Sequence, residues 1–151
     1  MQFGAAVLAN VIFQLPVGRL SDRFGRRPFL IGGFVLLLPS TLLQGFVASS
    51  LGMVALRFLQ GAAVAAVFAP SLALAGDLAE EGQSGSTLSL LTMGFGLGIA
   101  VGTLLSGILV GFGFAIPFVV ATAGGVIGLA LVYTQVHEPS ADPAPAAQAT
   151  D

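Results

Sequence analysis

The sequence predicts an all-α, polytopic membrane helix bundle of about five transmembrane helices. Three observations predict it. Of the 151 residues, 56% are hydrophobic and 8% charged, where a soluble domain has about a quarter of its residues charged. The apolar residues fall in runs of roughly twenty, the length that crosses a bilayer as a helix; a barrel strand alternates over about ten residues instead. Only helices and closed barrels satisfy their backbone in hydrocarbon, so helices remain. Finally, four of the five basic residues sit in one short polar stretch between two apolar runs, Gly18-Arg19-Leu20-Ser21-Asp22-Arg23-Phe24-Gly25-Arg26-Arg27-Pro28.

Charge packed this tightly reads as a tight turn between two spans, and arginines in such a loop keep it on the cytoplasmic side. An ordinary positively charged loop accounts for the arginines. It does not account for the acid among them, or for two glycines that permit a tight backbone path and close helix approach. The stretch resembles the G-x-L-x-D-R-x-G-R-R/K loop between the second and third helices of the major facilitator superfamily. Gly18, Leu20, Asp22, Arg23, Gly25, Arg26 and Arg27 occupy its defining positions. The resemblance implies a partial major-facilitator fold. It also implies secondary active transport of a small solute by alternating access, in which two six-helix halves rock about a midplane site.

The first span is expected over about 1–17, near the lower limit of roughly 17 residues. Asn10 and Gln14 lie four apart and share a face of it. Two readings fit them: amides that glue neighbouring helices, or contacts to a substrate. The second span, about 29–48, contains Pro39, tolerated where neighbours satisfy the freed carbonyl. After a short outer turn at Ser49-Ser50 comes the third span, about 51–76. A polar, acidic run from Asp77 to Ser86 forms the next inner loop. The fourth span, about 87–110, carries Gly94, Gly98 and Gly102 every four residues, a small face on which another helix can pack; Gly107 is a further packing candidate. The fifth, about 114–135, follows a Gly111-Phe112-Gly113 turn and carries Gly124 and Gly128. Residues 137–151, rich in proline and alanine, are expected to form a disordered cytoplasmic tail.

This order places the start of the chain outside and the loops near 18–28 and 77–86 inside. In the resemblance, the five spans match the second to sixth helices of a twelve-helix transporter. The expectation is therefore a fragment, with the first helix and the second half needed to complete it.

Arg57 stands about two turns into the third span. A guanidinium there costs at least a few kcal/mol unless it faces a cavity or a partner, or snorkels to the outer surface. The run Arg57-Phe58-Leu59-Gln60-Gly61 resembles the R-x-x-Q-G pattern of the fourth helix in proton-coupled members of the superfamily. The resemblance implies that Arg57 faces the central cavity and serves proton coupling, with Gln60 on the same face. In the fourth span, residues 98–107 resemble the G-x-x-x-G-P-x-x-G-G pattern of drug/proton antiporters, with Thr103 in place of its proline and Ser106 in place of a glycine. Helix packing explains these glycines equally well. The resemblance also implies a conformational latch: Asp77 pairs with an arginine of the loop, Arg26 first among them, while Asp22 receives the N-terminal end of a helix from the other half.

Net charge is −2, and no basic face lies outside the loop, so nucleic acid is not an expected partner. The absence of cysteine removes disulfides and thiolate metal sites. No enzyme constellation is visible. His137 has no nucleophile or carboxylate placed to form a triad, and the adjacent Glu80 and Glu81 point in different directions on a helix. Neither cofactor nor metal is expected; the expected partners are a small-molecule substrate, the lipid bilayer and the remainder of the transporter. The preferred function is proton-coupled efflux across the cell membrane. Its rivals are uptake of a sugar or organic ion within the same superfamily, and a non-transporting truncated membrane protein or assembly partner.

Overall fold

A computed structural model describes residues 2–77, 79 and 84–136. Five helices follow one another: α1 (Gln2–Phe24), α2 (Arg26–Gln44), α3 (Ser50–Asp77), α4 (Ser84–Leu109) and α5 (Ile116–Gln135), with a short 3-10 turn, Val110–Phe112, before α5. Each is long and apolar enough to cross a membrane. Glu80, Glu81, His137 and the expected tail over 137–151 lie outside the described residues.

The arginine stretch is where structure and sequence reading differ most. It is not a loop. α1 continues through Pro16 to Phe24, and α2 starts at Arg26, so Gly25 alone separates them. A continuing helix pairs its own backbone groups at the membrane boundary, where an open turn would need other partners. Gly25 makes the reversal with φ 95°, a conformation that side chains disfavour and glycine accepts. Pro28 falls in the first turn of α2, where its missing N–H has no helical partner to lose.

The turn between α2 and α3 is capped locally. Ser49 Oγ accepts the Gly52 N–H at 3.1 Å, the arrangement by which serine relieves an unpaired donor at a helix start. Pro39 and Pro70 stay inside α2 and α3. At 28 residues, α3 is about 42 Å long at 1.5 Å per residue, longer than a hydrocarbon core of about 30 Å. Its end therefore overhangs to the level of the α1–α2 corner.

α3 is the centre of the bundle. α1 and α2 pack along it, α5 packs on α2, and α4 touches α3 more sparingly. Small residues set these contacts. A Cβ at Gly61 would collide with the Ala6 carbonyl oxygen on α1, and one at Gly33 would lie 3.0 Å from the Ala66 carbonyl carbon on α3. In lipid, such close backbone approach and its van der Waals contact hold helices together. Ala9, Ala63 and Ala65 are completely buried beside them. No atom lies within 4 Å of a Cβ built at Gly94, Gly98 or Gly102, so no described helix of this chain covers that face; Gly107 is open as well. Likewise Gly124 is open, while Gly125 and Gly128 meet Leu38 and Phe34 of α2. An apolar cavity of about 160 Å³ remains between α2, α3 and α4, bordered by Leu37, Val64, Phe68 and Phe95.

Candidate functional site

Two polar groupings stand out from the apolar bundle. The first is the corner. Arg26 begins α2 directly after Gly25, and its guanidinium enters the space between the end of α1 and the end of α3. Nη2 lies 3.5 Å from Asp22 Oδ1, and Nη1 forms an ion pair with Asp77 Oδ2. The Arg26 side chain is 20% exposed, against 58% for Asp22 and 49% for Asp77. One cation is thus shared by two carboxylates from different helices. Ser21, almost fully buried beneath the corner, donates its hydroxyl to the Gly18 carbonyl at 2.8 Å. Gly18 itself faces Ala69 of α3, with 4.0 Å between a Cβ there and the Ala69 Cβ. Leu20 is exposed.

Arg27 serves a third helix. Its Nη2 donates to the Tyr133 carbonyl at 2.9 Å, and its guanidinium carbon lies 5.4 Å from the centroid of the Tyr133 ring. Tyr133 belongs to the last turn of α5, whose carbonyls lack helical partners. A basic side chain there satisfies an acceptor and meets the negative end of the helix dipole. The α1–α2 corner thereby joins the ends of α1, α3 and α5.

The second grouping lies within the spans, near the other end of α3. Arg57 Nη1 donates to Gln60 Oε1 at 2.9 Å, and Gln60 Nε2 donates to Thr41 Oγ1 of α2 at 3.3 Å. Gln60 is one turn further along α3 than Arg57, so this contact draws the guanidinium toward the middle of α3 and away from its Ser50 end. Both acids of the corner are far off: Asp77 is twenty residues further along α3, about 30 Å. Asn10 and Gln14 are half-buried on α1, with no hydrogen bond among the described residues, and they do not join this chain of contacts. Phe13, between them, meets Phe58 edge-on at 6.0 Å.

Sequence reasoning did not single out Thr41 or Tyr133. Tyr133 carried a usable signal, being the single tyrosine and placed at the end of the last apolar run, where aromatic residues mark the membrane interface. Thr41 carried little, because isolated threonines are common in spans and usually bond their own backbone. Gln44, completely buried, was also passed over; its amide nitrogen donates to the Ser40 carbonyl at 3.0 Å.

A sequence profile described as Major Facilitator Superfamily matches residues 1–150. The chain belongs to the Major Facilitator Superfamily. It is 31% identical over 102 residues to the inner membrane transport protein YajR of Escherichia coli, covering 68% of this chain and 22% of that protein. An uncharacterized MFS-type transporter of Methanocaldococcus jannaschii is 28% identical over 137 residues, 90% of this chain and 36% of its own length. The MFS-type transporter ppzB of Metarhizium rileyi is 30% identical over 101 residues, 67% of this chain and 21% of its own. The chain thus spans between about a fifth and about a third of the length of these relatives. Membership and the five apolar helices make it a multi-pass integral membrane protein of a transporter family.

Proposed function

We propose that this chain contributes the second to sixth helices of a secondary transporter that exports a small solute by alternating access coupled to protons. The observation that carries this reading is the Arg57–Gln60–Thr41 chain. A guanidinium held inside the spans is expensive, and polar side chains there mark a substrate or proton path. Its turn toward Gln60 favours a cavity role over snorkelling. The corner supplies the mechanical part of the proposal. Arg26, shared by Asp22 and Asp77, ties α1 to α3 in one conformation, and its release accompanies rocking to the other.

The first helix and the second half of the transporter complete the site, because transport sites of this kind lie between repeats. The test is a chimaera in which this chain replaces the matching residues of the M. jannaschii relative, reconstituted in vesicles with an imposed pH gradient. Expected results are proton-driven flux of cationic dyes by the chimaera, its loss with Arg57→Gln, and no flux from the isolated chain. Undiminished flux in the Arg57→Gln chimaera would overturn the coupling role. Robust flux from the isolated chain would overturn the need for a complement.

A further inference from the structure

Hydroxyl groups in these helices commonly serve their own backbone. Ser71, Thr92, Thr103 and Thr122 each donate to the carbonyl four residues back, at 2.7 or 2.8 Å. Thr41 makes a different contact: its Oγ1 accepts from Gln60 Nε2 on the neighbouring helix at 3.3 Å. Its α2 neighbours Ser40 and Gln44 are buried and turned onto α2 itself, Ser40 donating to the Leu37 carbonyl and Gln44 to that of Ser40. Among the described residues, Thr41 is therefore the α2 side chain that is hydrogen-bonded to the Arg57–Gln60 pair.

A guanidinium carries donors and no acceptor, so Arg57 requires the carbonyl end of the Gln60 amide. The amide nitrogen then faces α2, and Thr41 is what it meets there. A glutamine amide turns about its last torsion between broad minima, and two further torsions swing it. Bonded at its oxygen alone, Gln60 would follow Arg57 wherever that long side chain went. Bonded at both ends, it is held, and Arg57 is aimed at a fixed acceptor.

We infer that Thr41 is a positioning residue: its hydroxyl oxygen anchors the Gln60 amide, and the anchored amide sets the direction of the Arg57 guanidinium. The consequence for transport rests on the coupling role proposed for Arg57 above. Packing asks only for the shape of threonine, which valine reproduces. Anchoring asks for the oxygen, which serine reproduces.

The test places Thr41→Val and Thr41→Ser in the M. jannaschii chimaera. Thr41→Val should lower the maximal rate of proton-driven dye flux about fivefold, the scale of one neutral hydrogen bond, with KM for the dye unchanged. Thr41→Ser should stay near wild type. In a Gln60→Ala background Thr41→Val should have no further effect, because the residue acts through the amide. Full flux in Thr41→Val, a loss that serine does not rescue, a loss of equal size in the Gln60→Ala background, or a raised KM at unchanged maximal rate overturns the inference. A second readout keeps it separate from the coupling role, and decides alone should the valine chimaera fail to assemble. In the 151-residue chain carrying isotope-labelled arginine, the Arg57 Nε–H magnetic-resonance signal, identified by its loss in Arg57→Gln, should move in Thr41→Val and return in Thr41→Ser. An unmoved signal overturns the anchoring. A signal that moves as expected, together with undiminished flux in the Arg57→Gln chimaera, upholds the anchoring and overturns the coupling role alone.

Discussion

Arg27, in the first turn of α2, reaches the last turn of α5 and holds Tyr133 at two points: 2.9 Å to its carbonyl oxygen and 5.4 Å to its ring. The two residues are 106 apart in the chain. This clip ties the end of α5 to the α1–α2 corner.

The clip uses the Tyr133 backbone and ring, and its hydroxyl takes no part. Tyr133→Phe should therefore leave amide hydrogen exchange in the last turn of α5 unchanged. Arg27→Gln should speed that exchange about fivefold, the equivalent of about 1 kcal/mol for losing a half-exposed cation–π contact and a charged hydrogen bond. Equal exchange in wild type and Arg27→Gln would show that α5 is held by its packing on α2 alone.

The Arg26–Asp77 pair is partly exposed, so its coupling energy is modest. A double-mutant cycle with Arg26→Gln and Asp77→Asn, followed by thermal unfolding in detergent, should give a coupling of about 0.5–1 kcal/mol that shrinks with salt. Asp22 keeps the Arg26 charge from being stranded when Asp77 is removed. Asp77→Asn alone should thus cost less than Asp22→Asn/Asp77→Asn.

The two glycines of the corner have different tasks. Gly25→Ala forces a side chain into φ 95° and should cost about 1–2 kcal/mol, read as a lower unfolding temperature. Gly18→Ala brings a Cβ to ordinary contact with Ala69 and should be close to neutral.

Glycines inside the spans divide in the same manner. Gly61→Ala drives a methyl into the Ala6 carbonyl and should separate α1 from α3, at about 1–3 kcal/mol for overpacking. Gly98→Ala meets open space and should leave the unfolding temperature of this chain unchanged. Inside a full-length chimaera, a loss of stability with Gly98→Ala would identify its face as the seat of a helix from elsewhere in the transporter.

Particular residues show how much of this was legible beforehand. The five spans, the reversal at the arginines and the arginine embedded near the start of the third span all followed from one-dimensional patterns of charge and apolarity. The seven positions that carry the family pattern were legible for the same reason, because type and spacing define them. The length of α1 was not: residues 18–24 look like a loop by polarity, yet they extend the helix, since helix geometry satisfies their backbone whatever their side chains prefer. The partner of Arg27 was equally hidden, since nothing local links residue 27 to residue 133.

The sequence by itself determined that this is a membrane protein, which of its segments are long and apolar enough to cross and where its charge collects. Hydrocarbon imposes those features on any chain, because it tolerates neither unpaired backbone nor stray charge. Only the tertiary structure decided that Gly33 and Gly61 lie at close contacts while Gly94 and Gly98 stay open, and that Arg26 and Arg27 bind protein while Arg19 and Arg23 have no partner among the described residues. A helix apolar on every side carries no stripe to mark its buried face, so helix rotation, and with it every cross-helix contact, is set by the fit of neighbouring surfaces.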